Sequence, residues 1–158
     1  MIPRCSVSKH EKAIMRELQR FNHEGHLKEY AIVICKDDVC ETVIGEGHEI
    51  PPGRLPPRLE DANLYHNHPA RANAMLSIGD VGAALQRGMR KICAVSDSDY
   101  MCALPKRAFT TYGAVDWYYK TMPRILECEG LFAASKQRCV ADLFGDIAKV
   151  CTGRVHEL

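Results

Sequence analysis

Residues 64–80, LYHNHPARANAMLSIGD, join a short strand to the start of a helix and thereby decide the fold. The strand ends at Pro69, because proline lacks the amide hydrogen that a β-ladder needs. Ser77 and Asp80 fit a capping box with Asp in place of Glu, and Gly88 suits the end of the helix that follows. The stretch therefore predicts a strand, a loop and a capped helix.

The segment before this stretch predicts a helix and a hairpin. Ser8 and Glu11 fit a capping box, and apolar residues then recur at helical spacing, which predicts a helix over about residues 9–23. Two β-branched runs follow, and they meet at Asp37 and Asp38. Two such runs separated by a short polar turn indicate a β-hairpin.

The remaining segments complete an α+β scaffold. Four prolines within residues 51–57 exclude a central strand and a helix interior, so we expect an exposed loop. A second hairpin is predicted with its turn at residues 97–99, and apolar spacing near the C-terminus predicts one or two closing helices. This order of elements indicates a mostly antiparallel sheet. Residues 1–105 form the predicted core, and residues 106–158 form a helical C-terminal extension packed on the same domain.

Length and composition fit one compact globular domain. The chain has 158 residues, of which 46% are hydrophobic and 26% are charged, and its formal net charge is +1. With its charges this evenly balanced, the protein has no overall positive field that would attract nucleic acid. No apolar run has the roughly 18 residues that a membrane span needs. The first residues contain no apolar core of signal-peptide length, so we expect a cytoplasmic protein; export by a leaderless route stays open.

The eight cysteines are many for a chain of this size, yet they form no C-x-x-C pair. They are scattered through apolar runs, and cysteine is among the most buried residue types. We therefore expect reduced thiols packed in the core. The alternative is a cross-strand pair between Cys35 and Cys40, which flank the polar turn of the first hairpin.

Two histidines and an aspartate in the opening stretch have the chemistry of a zinc site. Residues two apart in a strand point to the same face, so His66 and His68 present their imidazoles together. Asp80, in the first turn of the next helix, is the candidate third ligand. Three protein ligands leave a fourth tetrahedral position for water, as in catalytic zinc sites. The alternative is structural, with Ser77 only a helix cap and the histidines only packed side chains.

The pattern His66-Asn67-His68-Pro69, followed by Ser77 and Asp80 at a helix start, resembles the H-x-H-P…S-x-x-D signature of the JAMM (JAB/MPN) zinc metalloproteases. That family cleaves peptide and isopeptide bonds, notably those of ubiquitin-like modifiers. The resemblance covers roughly residues 10–105. It implies an MPN-like sheet flanked by helices, one Zn²⁺ per chain, and a protein or peptide substrate.

The resemblance also implies roles for individual residues. Zinc is held by His66, His68 and Asp80; a glutamate serves as the base, and the hydroxyl of Ser77 stabilises the oxyanion. Glu29 stands at the start of the strand after the first helix, where the family has its glutamate. The interval to the histidines is short for the family, which keeps two glutamates of the second strand as alternatives: Glu41 and Glu46.

Other classes compete with this interpretation. A zinc nucleobase deaminase is excluded because the P-C-x-x-C half of its motif does not occur. An HNH-type nuclease finds no support in the near-neutral charge. The remaining alternatives are a non-catalytic MPN-like scaffold or interaction module, and a JAB-type effector or toxin with another substrate. The aromatic run at residues 117–119 is either core or a patch for a partner, and its helical spacing favours core.

Overall fold

A computed structural model describes residues 2–24, 28–35, 38–45, 55, 59–68, 76–106 and 111–158. In these residues it contains four α-helices, six β-strands and one short 3₁₀ turn, Val155–Glu157. The helices are α1 Lys9–His23, α2 Ile78–Arg87, α3 Thr111–Glu129 and α4 Ala133–Phe144; the strands are β1 Tyr30–Cys35, β2 Asp38–Ile44, β3 Asn63–Asn67, β4 Lys91–Val95, β5 Asp99–Pro105 and β6 Ala148–Arg154.

The strands form one sheet in the order β2-β1-β3-β4-β5-β6. The pairing of β3 with β4 is parallel, and the other four pairings are antiparallel. A parallel pair needs a crossover connection, which α2 supplies between β3 and β4. The predicted α+β class with a mostly antiparallel sheet is confirmed.

Alternation along the strands gives the sheet two buried faces. On one face Ala31, Val33 and Leu64 pack with residues of α2, α3 and α4. On the other face the intervening residues Ile32 and Tyr65 pack against α1 and the C-terminus. Because successive side chains of a strand point to opposite faces, the position of one residue in β1 or β3 fixes the face of its neighbours.

Helix α1 begins as predicted and is tied to the centre of the sheet. Ser8 and Glu11 form the reciprocal capping box. The Glu11 carboxylate also accepts hydrogen bonds from the Tyr65 hydroxyl at 2.7 Å and from Lys91 Nζ at 2.7 Å. Burial alone would raise the pKa of Glu11, but the hydrogen bonds, with that of Lys91 the largest, lower it below its ordinary value.

The predictions for the C-terminal part are correct for its helices and wrong for its last segment. Helices α3 and α4 close one face, but residues 148–154 form strand β6, which pairs along the whole length of β5. Seven residues lack the length to establish a helical period, and pairing with a strand more than forty residues earlier in the sequence decides their conformation. Part of the aromatic run is core: Trp117 packs on Phe144, with ring centroids 5.9 Å apart.

Two further predictions concern the proline-rich loop and membrane-spanning segments. The proline-rich loop lies outside them apart from Leu55. Among the helices described here, none has both the length and the apolar character that crossing a membrane requires.

The expectation of reduced thiols is wrong, because all eight cysteines are paired. The disulfides are Cys5–Cys151, Cys35–Cys40, Cys93–Cys102 and Cys128–Cys139, which leaves no free cysteine. The alternative of a Cys35–Cys40 pair is confirmed. The sequence did not reveal the other three pairs because they depend on packing: one joins residues 146 apart, one crosses the β4–β5 hairpin, and one links α3 to α4.

Removal of Cys5–Cys151 should destabilise the protein more than removal of Cys35–Cys40, because the first closes a far longer loop of the unfolded chain. The loop-entropy model gives roughly 5 kcal/mol for the double change Cys5→Ala/Cys151→Ala and roughly 2 kcal/mol for Cys35→Ala/Cys40→Ala. Urea unfolding of both variants beside the wild type measures the difference.

Alkylation without reductant, read by mass spectrometry, should label none of the cysteines of the wild type; labelling of all eight would contradict the pairing.

Candidate metal centre

Three side chains predicted as ligands converge at the end of β3. The Nε2 atoms of His66 and His68 are 3.0 Å apart. The Asp80 Oδ2 atom lies 3.4 Å from His66 Nε2 and 3.7 Å from His68 Nε2. Among the described residues this is one of two groups whose potential ligand atoms lie within 4.8 Å of one another. The structure therefore brings together the three side chains that the sequence predicted to lie close to one another.

The strand and its parallel neighbour hold the two imidazoles. His66 pairs with Ala94 of β4, and the His68 amide donates to the Val95 carbonyl at 2.8 Å, which extends the parallel ladder past the end of β3. Both histidine side chains are almost completely buried, at 2% and 4% exposed. Their position is thus set by main-chain hydrogen bonds and not only by side-chain packing.

The start of α2 brings the carboxylate to the histidines. Ser77 is the N-cap: its Oγ accepts from the Asp80 amide at 3.0 Å, and its own amide donates to Asp80 Oδ2 at 2.9 Å. The capping function of Ser77 is therefore confirmed. The same Oδ2 atom faces both imidazoles, so the cap orients the carboxylate. A hydroxyl that accepts one hydrogen bond keeps its own proton for donation.

Burial and charge act against each other in this cluster. Burial alone would lower the pKa of His66, but the adjacent Asp80 carboxylate, with smaller contributions from Glu29 and the Cys93 main chain, raises it. Burial alone would raise the pKa of Asp80, but His66 and His68 hold it well below its ordinary value. The site therefore keeps a carboxylate ionised beside two imidazoles, which is an environment that favours a cation.

The described structure brings Glu29 to the same face as the histidines. Ala31 is in register with His66 in the antiparallel β1–β3 pair, and Glu29 lies two residues before Ala31 in the chain. Ala31 and Val33 face the helices α2, α3 and α4. Glu29, two residues before Ala31, faces the same way by strand alternation. Its contribution to the pKa of His66 is consistent with this position.

Of the two alternative glutamates, the described residues include Glu41 but not Glu46. The main chain of Glu41 pairs with Val33, four residues along β1 from Glu29. Val33 lies two residues from Ala31, the partner of His66, and β1 separates β2 from β3, so the main chain of Glu41 lies roughly 12 Å from that of His66.

The three ligand atoms suit a zinc ion in both spacing and chemistry. Tetrahedral zinc with ligand bonds of about 2.0–2.1 Å places neighbouring ligand atoms about 3.3 Å apart, and the observed separations are 3.0, 3.4 and 3.7 Å. Two neutral imidazoles cannot both direct lone pairs at each other without a cation or a proton between them. Imidazole nitrogen and carboxylate oxygen are ordinary zinc ligands.

The second group of potential ligands consists of sulfur atoms and does not fit a metal. It contains Cys5, Cys102 and Cys151. Each belongs to a disulfide, Cys5–Cys151 or Cys93–Cys102, and a metal requires thiolates. The candidate metal centre is therefore the group formed by His66, His68 and Asp80.

One residue of the site was missed by sequence reasoning. Asn67, between the two histidines, is completely buried and hydrogen-bonds to residues on both sides of Glu29. The H-x-H pattern leaves the middle residue unspecified, so the spacing of the histidines does not predict a role for Asn67. The available signal was weak: an amide residue within a strand that was predicted to be buried needs a partner.

Comparisons with known proteins add no relative to this description. No protein-family model, curated protein or solved structure matches the chain.

Proposed function

We propose that the protein is a zinc-dependent hydrolase that cleaves peptide or isopeptide bonds. The convergence of His66, His68 and Asp80 at zinc-ligand spacing carries this proposal. The position of Glu29 on the same face of the sheet adds a candidate base. The JAMM-type interpretation of the H-x-H-P…S-x-x-D pattern, including an MPN-like fold, forms part of the proposal.

In this proposal the residues divide into ligands and reacting groups. His66, His68 and Asp80 would hold the zinc ion, which when bound supplies Lewis-acid activation of water and of the scissile carbonyl. Glu29 accepts a proton from the attacking water and delivers it to the departing amine. Ser77 stabilises the developing oxyanion by donating a hydrogen bond from its hydroxyl. One C–N bond breaks and one C–O bond forms, so the products are a carboxylate and an amine.

A second candidate is a non-catalytic interaction module on the same scaffold. The observation that favours it is the set of exposed apolar side chains on α3 and in the segment between α3 and α4: Val115 at 50%, Tyr119 at 72%, Leu126 at 66% and Phe132 at 86% exposed. Exposed apolar groups of this kind are common at binding surfaces. Zinc binding without cleavage of any peptide or isopeptide would favour this candidate.

We also propose that the chain acts in an oxidising environment. Disulfides persist in oxidising compartments and are rare in the reducing cytosol. Four of them, with no free cysteine, are therefore at odds with the cytoplasmic expectation and favour action after export. The thiol count of protein isolated from its native source, with thiols blocked at lysis, tests this directly.

The purified wild type should contain about one zinc ion per chain, because three protein ligands suffice for tight binding. His68→Ala should lose it, whereas His156→Ala, an exposed histidine outside the site, should retain it. Metal analysis after dialysis gives the stoichiometry of each. Equal zinc content in His68→Ala and the wild type would contradict the site.

Glu29→Gln should retain zinc and fold but lose activity by roughly a hundredfold or more, because an amide cannot accept the proton. The probes are an isopeptide-linked ubiquitin dimer and a mixture of internally quenched peptides. Glu41→Gln is the matched control and should stay within a few-fold of the wild type. Full activity of Glu29→Gln beside an inactive Glu41→Gln would move the base to β2.

Ser77→Ala separates capping from catalysis. Loss of the cap should reduce the free energy of unfolding by roughly 0.5–2 kcal/mol. Loss of an oxyanion donor should also reduce kcat by about a hundredfold or more with little change in KM, because the charge exists only in the transition state. Ser77→Thr keeps the hydroxyl and should restore the stability. A Ser77→Ala protein that melts earlier but turns over at the wild-type rate would limit Ser77 to capping.

A further inference from the structure

The side chain of Asn67 makes three hydrogen bonds on the face of the sheet opposite the metal centre. Its Nδ2 atom donates to Asn22 Oδ1 at 2.8 Å and to the Lys28 carbonyl at 3.1 Å, and its Oδ1 atom accepts from the Tyr30 amide. Asn67 is completely buried. A buried amide that satisfies its donors and its acceptor in this way is held in a single orientation.

The orientation of this amide follows from the chemistry of its partners. A main-chain amide can only donate, so the atom facing Tyr30 must be the oxygen. A main-chain carbonyl can only accept, so the atom facing Lys28 must be the nitrogen. Exchange of the two atoms would place donor against donor and acceptor against acceptor. The contacts therefore form a specific clamp on the main chain of residues 28–30.

The residue between the two clamped positions is Glu29. A third main-chain contact fixes it from the side of β2, where the Gly45 amide donates to the Glu29 carbonyl at 2.8 Å. The main chain is thus held before, at and after Glu29. A carboxylate on a main chain fixed at three consecutive residues has only its own side-chain torsions left to vary.

The same strand residue connects this clamp to the proposed ligands. Asn67 stands between His66 and His68 in the chain, and alternation sends their side chains to the metal face while its own points toward α1. Asn22 of α1 donates in turn to the Val95 carbonyl at 3.4 Å, the carbonyl that also accepts from the His68 amide. The contacts of Asn67 therefore join the strand that carries the imidazoles to the segment that carries the glutamate.

We propose that Asn67 is a positioning residue that sets the Glu29 carboxylate relative to His66 and His68. The proposal rests on the proposed function, because it assigns Glu29 as the base. Other residues do not reproduce the clamp: aspartate lacks the two donors, leucine has neither donor nor acceptor, and serine is too short to bridge residues 28 and 30 at once. General-base catalysis depends on the carboxylate lying within hydrogen-bond reach of the proton it takes, so a small displacement is costly.

The experiment uses the full chain, labelled for NMR, as wild type, Asn67→Leu and the matched control Asn63→Leu. Asn63 is the same residue type on the same strand, four residues away, and donates to the Tyr65 hydroxyl. Three quantities are measured: hydrogen exchange of the Tyr30 amide, the carboxyl ¹³C resonance of Glu29 assigned by comparison with Glu29→Gln, and turnover of the ubiquitin dimer and the quenched peptides. The first two require neither zinc nor substrate.

Asn67→Leu should speed exchange of the Tyr30 amide by about tenfold or more and shift the Glu29 resonance, while Asn63→Leu does neither. It should reduce kcat by about tenfold or more with KM nearly unchanged, and it should cause no further loss in the Glu29→Gln background. Should Asn67→Leu fail to fold, Asn22→Ala removes one of the three contacts, and a shifted Glu29 resonance with a smaller loss of kcat is expected.

The outcomes separate this inference from the proposed function. Unchanged Tyr30 exchange and an unchanged Glu29 resonance in Asn67→Leu would overturn the clamp, whatever the activity. A shifted resonance with wild-type turnover would overturn the positioning role and leave the hydrolase proposal intact. A wild type that cleaves neither probe would count against the hydrolase, and the Glu29 resonance would still decide whether Asn67 positions that carboxylate.

Discussion

Strand β3 is hydrogen-bonded on both sides, antiparallel to β1 and parallel to β4, and the arrangement of the site depends on this constraint. With both neighbours fixed, a shift of one residue would exchange the two faces of the strand. His66 and His68 would then point toward α1, and Tyr65 and Asn67 toward α2. The register of β3 therefore decides simultaneously where the imidazoles meet Asp80 and where Asn67 meets the segment around Glu29.

The two faces of β3 both bury charge, but they neutralise it in different ways. On the α1 face the Glu11 carboxylate receives hydrogen bonds from Ser8, Tyr65 and Lys91, so each oxygen has a donor and the charge is paired within the protein. Removing one partner of such a buried pair lowers the free energy of unfolding, and the pair joins α1 to two adjacent strands. On the opposite face the Asp80 carboxylate meets two imidazoles whose Nε2 atoms also face each other. A bound cation or a proton between the two rings would satisfy that arrangement, whereas the Glu11 carboxylate is already paired with Lys91.

Local patterns allowed the sequence to predict much of this structure. Both capping boxes, Ser8 with Glu11 and Ser77 with Asp80, lie where the sequence indicates them, because a cap depends on residues three apart. The two hairpins and the strand with the histidines follow from β-branched runs and proline. The proximity of His66, His68 and Asp80 could be predicted for the same reason, since alternation in one strand and the start of the next helix suffice to bring them together.

Long-range pairing explains what the sequence did not reveal. Strand β6 forms because the edge of β5 offers it partners for main-chain hydrogen bonds along all seven residues. The disulfides join positions that only the folded chain brings together, as Cys5 and Cys151 illustrate. Asn67 was missed because its importance lies in the three residues it contacts, none of which is close to it in sequence.

The buried core on each face of the sheet also bears on the kind of metal site that His66, His68 and Asp80 would form. Structural zinc sites have four protein ligands and hold together domains that are too small to fold without the metal. This chain has a buried core on each face of its sheet, and Cys5–Cys151 and Cys128–Cys139 fasten its C-terminal part. The cluster of His66, His68 and Asp80 contains three potential ligands among the described residues and lies at the end of a strand. A metal bound there would contribute little to folding, and three ligands would leave a coordination position for a reactant, as in catalytic zinc sites.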